Sequence, residues 1–196
     1  MTAVEQPPPG RRERKKARTR QALADAALRL FLERGYDQVG VKDVAEAADV
    51  SVTTLFKHFP SKEALVFDQD AEQRAALLAA VRERADGTTV LDALRTHLRA
   101  LLVGVHEAPG FREFRALVEG TPALTEYAHR MWLRHEEALA GALAEEVGGA
   151  ADEVAVRSLA HFVLAAPRLA GGCADPGAAL DAVFVRLRQG WPDLDV

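Results

Sequence analysis

The stretch VKDVAEAADVSVTTLFKHFPSK, residues 41–62, decides the fold. Its first part carries apolar residues at helical spacing, which predict a short amphipathic helix. That apolar face consists of Val41, Val44, Ala45 and Ala48. Asp49 and Val50 fit a tight turn, and Ser51 is a good N-cap for a second helix. Pro60 ends the second helix because it disfavours helical geometry at Phe59. Two short helices joined by a tight turn predict a helix-turn-helix.

A helix-turn-helix needs an apolar plug between its helices, and this sequence supplies one. Leu55 and Phe59 are four residues apart and therefore share a helix face. The predicted plug consists of Ala45, Val50, Leu55 and Phe59. The first turn of the second helix can then enter a major groove, where the side chains of Val52, Thr53 and Thr54 meet base edges and thymine methyl groups. Periodicity alone leaves open that this helix pair is only a packing unit.

Basic residues are concentrated in the first third of the chain. The net charge is −4, but residues 1–62 carry twelve Lys and Arg against eight Asp and Glu, or +4, which leaves −8 for the remainder. A basic head on an acidic body is expected when one end meets phosphates. Arg11 to Arg20 holds seven of these cations. We expect a flexible arm here, ahead of the first helix and able to enter a minor groove, with a solvated tail as the alternative.

The rest of the chain predicts helices and no strand. Gly35 ends a first helix, and Ser61 caps a fourth helix that we expect to run unbroken from Lys62 to about Ala85. Five further helical segments follow, up to Gly190. We therefore predict an all-α fold of about nine helices. It divides into a disordered tail (residues 1–10), a helix-turn-helix domain (residues 11–60) and a larger helical body (residues 61–196).

The residues of the helix-turn-helix region resemble the N-terminal domain of the TetR family of repressors. The resemblance runs without gaps over about residues 19–67, a quarter of the chain. The motifs that carry it are Gly35-Tyr36, Val41-Lys42-Asp43-Val44-Ala45, Ala48-Asp49-Val50-Ser51, Thr54-Leu55-Phe56-Lys57-His58-Phe59 and Ser61-Lys62-Glu63-Ala64-Leu65. The resemblance implies a homodimer that binds a double-stranded DNA operator through three-helix heads. It also implies a body with a cavity for a small-molecule effector and a dimer interface on the last two helices.

Carried over by position, the resemblance assigns the DNA contacts. Val52, Thr53 and Thr54 sit where the family reads bases, and Lys57, His58 and Lys62 sit where it meets the phosphate backbone. Two positions depart from the family's pattern. Phe56 replaces a tyrosine whose hydroxyl reaches a phosphate, and Gly40 replaces the usual Thr or Ser cap of the second helix. The predicted DNA-binding set is Gly40, Lys42, Val52, Thr53, Thr54, Phe56, Lys57, His58 and Lys62.

Apolar residues spread over the body helices supply a predicted cavity and a predicted interface. Most of them are expected to be core, and some to line an apolar cavity in which a histidine orients the ligand. The predicted ligand pocket is Phe67, Leu98, Leu102, Phe114, His129, Trp132 and Phe162. The last two helices carry more apolar surface than one body is expected to bury, which favours a symmetric dimer. The predicted interface is Leu159, Val163, Ala166, Val183, Phe184 and Leu187.

No motif in the sequence indicates an enzyme, a metal site or a cofactor. His135 is followed by two glutamates, but Leu139 occupies the place of the second histidine of a zinc-protease pair. No window resembles a membrane span or a secretory signal, and Cys173 is the only cysteine, so we expect a cytoplasmic protein. The predicted function is a sequence-specific repressor released by a small, largely apolar ligand. A constitutive or activating regulator of the same fold, and an enzymatic body, remain open.

Overall fold

A computed structural model describes residues 10–148 and 152–190; the predicted tail, apart from Gly10, lies outside them. Within those residues the chain forms nine α-helices and no strand, which confirms the predicted all-α class. The helices are α1 (Arg11–Arg34), α2 (Val41–Ala47), α3 (Val52–His58), α4 (Asp70–Arg82), α5 (Val90–Glu107), α6 (Phe111–Gly120), α7 (Pro122–Glu146), α8 (Glu153–Ala170) and α9 (Pro176–Gly190), with a 3-10 turn at Glu63–Leu65.

The chain divides into two compact units. The head unit is Met1–Asp68 with Glu113–Thr125, and the body unit is Gln69–Arg112 with Glu126–Val196. The head unit therefore extends beyond residue 60, the predicted end of the helix-turn-helix domain. None of the helices in the described ranges is long and apolar enough to cross a membrane.

The head unit is built on one face of α1. Leu23, Ala27 and Phe31 are buried at helical spacing, and α2 and the 3-10 turn pack against α1. α1 begins at Arg11, so the basic run is helical and the predicted flexible arm is wrong. The run consists mainly of good helix formers. In addition, Glu13 in the first turn accepts a hydrogen bond of 3.0 Å from the Gly10 N–H.

The predicted unbroken fourth helix is also wrong. The 3-10 turn ends at Leu65 and α4 begins at Asp70, so Val66 to Gln69 separate the two. In a continuous helix the Asp68 carbonyl would accept the N–H four residues later. Here that carbonyl accepts a hydrogen bond of 2.6 Å from the guanidinium of Arg20 instead.

The body unit surrounds one apolar core. α9 packs against α8 and α5, and α4 packs against α5. The largest fully buried side chains of this unit are Leu94, Leu139, Leu143, Leu159 and Leu180. In the body unit Asp70, at the start of α4, also contacts the buried His135 (Nε2–Oδ1 2.6 Å) and the exposed Arg134 (Nη2–Oδ2 3.0 Å) of α7. These contacts tie α4 to α7, and His135 is therefore a core residue.

Candidate nucleic-acid interface

α3 presents one face to solvent and holds the opposite face in the head core. Leu55 and Phe59 are fully buried, as the sequence predicts. The Ser51 hydroxyl accepts a hydrogen bond of 3.1 Å from the Thr54 N–H, which confirms Ser51 as the N-cap. Thr53, Phe56 and Lys57 are exposed, and the Phe56 side chain retains 48 % of its accessible surface. These three side chains form a continuous outward face, which we call the reading face.

The turn between α2 and α3 fixes the angle of the helix-turn-helix. Asp49 adopts the left-handed conformation, with φ of 53°, and its N–H donates to the Glu46 carbonyl at 3.1 Å. Val50 then donates to the Ala45 carbonyl at 2.9 Å and closes the turn. Asp tolerates this conformation better than most residues because its short side chain bonds locally. The tight turn that the sequence predicts is therefore present at these two residues.

The two threonines of α3 differ in their surroundings. The Thr54 hydroxyl lies 2.9 Å from the Ser51 hydroxyl and belongs to the cap of the helix. Thr53 is exposed, whereas Val52 and Thr54 are half-buried. Of the three predicted base readers, Thr53 consequently offers its hydroxyl and methyl group most openly. Spacing on the helix could not separate Thr53 from Thr54, because the difference depends on the capping bond.

Gly40 begins α2 without a side-chain cap of its own. Its N–H donates to Oδ2 of Asp43 at 2.7 Å, so the third residue of the helix holds the first turn from within. A Cβ at position 40 would lie 3.2 Å from that oxygen. The carboxylate therefore supports the helix start that Thr or Ser usually supports in the resembling family. The neighbouring Lys42 is exposed.

Lys62 is directed into the head unit. Its ammonium donates to the Tyr36 carbonyl at 2.6 Å and lies 3.8 Å from the centroid of the Tyr36 ring. Burial lowers the pKa of Lys62, against the opposing influence of Asp37 and Glu63. The Tyr36 hydroxyl in turn donates to Oε1 of Glu63 at 3.0 Å. Lys62 thus stabilises the segment after α3, and its predicted phosphate contact requires this ammonium to turn outward.

His58 closes α3 beside two basic residues of α1. Its Nδ1 is buried and has no hydrogen-bond partner within the described part of the chain. Burial lowers the pKa of His58, and the positive charges of Lys16 and Arg20 lower it further. The neutral imidazole is therefore the form that the folded head favours.

Acidification from pH 7 to pH 5 is expected to destabilise the head unit through His58. The unfolded chain binds a proton near the ordinary pKa of 6.5, whereas the folded head resists protonation. The contribution of His58 to the free energy of unfolding is therefore fully present above pH 6.5. It is lost as the pH falls through the lower pKa that His58 has in the folded head. Thermal unfolding between pH 5 and pH 8 measures it. His58→Gln should flatten the pH dependence, and identical curves for the wild type and His58→Gln would contradict this prediction.

The predicted pocket residues have different environments. Phe67 and Phe114 belong to the head unit, where their ring centroids lie 6.4 Å apart. In the body unit Leu98 and Leu102 are core residues, and His129, Trp132 and Phe162 are exposed. The body also has an open groove of about 670 Å³ between α7 and α8, whose walls include Leu133, Ala140, Val147 and Val156. The predicted pocket set remains a prediction.

The predicted interface residues are mostly core residues of the body unit. Leu159, Val163, Ala166, Phe184 and Leu187 are at least nine-tenths buried within one chain, and Val183 is half-buried. This corrects the prediction, because α8 and α9 bury these side chains against each other and against α5. The large apolar side chains that are exposed on the same two helices are Val154, Phe162, Leu169 and Val185.

Two family profiles match successive parts of the sequence. Residues 23–68 match the profile of bacterial regulatory proteins of the tetR family, and residues 88–192 match the profile of the MftR C-terminal domain. The chain is 39% identical over 145 residues to the HTH-type transcriptional regulator TcmR of Streptomyces glaucescens. The match covers 69% of this chain and 62% of TcmR, so less than two thirds of that relative is represented.

Solved structures share the fold. The SmeT–triclosan complex matches 86% of this chain and 91% of its own, with a TM-score of 0.58 and 20% identity; SmeT is the repressor of a Stenotrophomonas maltophilia efflux pump. FadR of Thermus thermophilus, a TetR family transcriptional repressor solved with lauroyl-CoA, matches 87% of this chain and 94% of its own. Its TM-score is 0.53 and its identity to this chain is 26%.

Proposed function

Because this chain belongs to the TetR family of bacterial transcriptional regulators, we propose that it is a repressor which binds a specific operator as a homodimer. A small, largely apolar effector that binds the body then releases it. The observation that carries the DNA-binding part is the reading face. Leu55 and Phe59 anchor the capped α3, which directs Thr53 of its first turn, and Phe56 and Lys57 of its second turn, outward, as major-groove recognition requires.

The helix-turn-helix has the chemistry for both kinds of DNA contact. Thr53 supplies a short hydroxyl and a methyl group, which suit base edges and the thymine methyl. Lys57 and the exposed cations at the start of α1, including Arg11 and Lys15, supply charge for phosphates. Phe56 keeps an aromatic surface without a hydroxyl. The specificity of binding is therefore expected to depend on Thr53, and its salt dependence on the lysine and arginine side chains.

Selection from a randomised duplex library tests this function. The full-length protein should enrich one duplex, called the selected duplex below, with two half-sites in inverted repeat. Two heads related by a two-fold axis meet half-sites about one helical turn, roughly 34–36 Å, apart. A scrambled duplex of the same composition is the control. A final pool without an enriched sequence would contradict sequence-specific binding by this chain.

Release by an effector is supported by the likeness to FadR, which was solved with lauroyl-CoA. A ligand shifts the protein only by its differential affinity for the free and DNA-bound states. A typical coupling makes the affinity for the selected duplex roughly 5- to 150-fold weaker, and linkage requires the duplex to weaken effector binding by the same factor. Calorimetric titration with lauroyl-CoA and other small apolar compounds, with and without the selected duplex, measures both factors. If every compound that binds does so with the same affinity in the presence and absence of the selected duplex, the result would favour a constitutive or activating regulator.

A further inference from the structure

Arg20 lies in the basic run of α1, yet its guanidinium is committed to the interior of the head unit. Nη1 donates to the His58 carbonyl at 2.6 Å, and Nη2 donates to the Asp68 carbonyl at 2.6 Å. The guanidinium carbon lies 4.2 Å from the centroid of the Phe59 ring. Arg18, two residues earlier, is exposed. The two arginines therefore carry the same charge in very different surroundings.

The two carbonyls that Arg20 binds lie at the end of α3 and in the segment that precedes α4. His58 is the last residue of α3, and the last carbonyls of a helix have no N–H of their own helix to accept from. A cation at this end is also favoured by the helix dipole. Asp68 lies in the break between the 3-10 turn and α4. A single side chain thus joins α1, the end of α3 and the segment that leads to α4.

Only arginine has the geometry for these three contacts together. Its planar guanidinium has five donors in a fixed fork and stacks on aromatic rings, whereas a lysine ammonium is a compact point charge. A lysine at position 20 would keep the charge and lose the simultaneous pair of carbonyl bonds.

We propose that Arg20 is a positioning residue for DNA reading. It does not contact DNA; it fixes the C-terminal end of α3, and so the direction in which the reading face points. The N-terminal end of α3 is held separately by the Ser51 cap, so both ends of this short helix are fastened. Selectivity for a base sequence needs side chains placed to within a fraction of an ångström. When α3 is loosened, the protein therefore loses its preference for one base sequence before it loses its electrostatic attraction to the phosphates. This inference rests on the proposed function.

The proposal is tested by measuring affinity for the selected and scrambled duplexes over a range of salt concentrations. The variants are Arg20→Lys, Arg20→Ala and the charge control Arg18→Ala. For Arg20→Lys we expect the ratio of the two affinities to fall about tenfold or more, from the loss of charge-assisted hydrogen bonds, with an unchanged salt slope. Arg18→Ala should weaken both duplexes together. An Arg20→Lys variant with the wild-type ratio would overturn the proposal, because a point charge would then suffice. A wild type that selects no duplex would instead overturn the proposed function.

Amide hydrogen exchange supplies a second measurement that does not depend on DNA. In folded Arg20→Lys, the amides of Leu55 to Phe59 should exchange faster than in the wild type, while those of α2 keep their protection. Such local loosening, together with the lowered affinity ratio, supports the proposal. Unchanged exchange at α3, or an equal loss of protection throughout the head unit, would contradict it.

Discussion

Leu55→Ala is expected to abolish binding to the selected duplex by unfolding the head unit. Leu55 is fully buried at the centre of α3. Removing a buried leucine side chain costs about 2–5 kcal/mol, a large part of the roughly 5–15 kcal/mol that holds a domain folded. Denaturant unfolding followed by circular dichroism measures the loss of stability, and fluorescence anisotropy with a labelled duplex measures binding.

Phe56→Ala is the matched control on the same helix. Phe56 is exposed, so its removal should change the free energy of unfolding by less than about 0.5 kcal/mol. It should nevertheless weaken DNA binding, because the side chain belongs to the reading face. A Leu55→Ala protein with wild-type stability, or a Phe56→Ala protein that unfolds, would contradict the assignment of the two faces of α3.

Leu169→Asp is expected to convert a dimer into monomers and to weaken operator binding by about 10²- to 10⁴-fold, because binding of the second head is no longer intramolecular. Leu169 keeps 64 % of its surface exposed within one chain and follows Phe162 by seven residues on α8. Both side chains are exposed and lie on one face of α8, where they form an apolar surface that a symmetric contact would cover.

Sedimentation equilibrium measures the oligomeric state of Leu169→Asp, with Leu133→Asp on α7 as a control at another exposed leucine. Leu133→Asp should remain dimeric. Phe184→Asp is not a useful test, because Phe184 is 4% exposed and the charge would disrupt the core. A monomeric wild type, or a dimeric Leu169→Asp, would contradict the proposed interface.

Local features of the sequence were sufficient to predict the helix-turn-helix. Ser51 caps α3, Asp49 forms the turn, and Leu55 and Phe59 share the buried face, all as the spacing predicts. Each of these features depends on residues within about one helical turn of one another. Local spacing and turn chemistry therefore describe the site's framework correctly.

The errors concern long side chains, and a helix with apolar residues on more than one face. Arg20 and Lys62 look like surface cations in sequence, but each reaches a backbone carbonyl more than 25 residues away. On α8, apolar residues occupy several faces, so spacing could not distinguish buried Leu159 and Val163 from exposed Phe162 and Leu169.

We propose that the reading face of α3 recognises a DNA sequence. The affinities of Thr53→Ala and Lys57→Ala for the selected and scrambled duplexes test this proposal most directly. Thr53→Ala should lower the ratio of the two affinities about three- to tenfold, since it removes a base contact and no charge. Lys57→Ala should weaken both duplexes and flatten the salt slope by about one unit. A Thr53→Ala protein that discriminates as well as the wild type, together with a Lys57→Ala protein of unchanged salt slope, would contradict the claim.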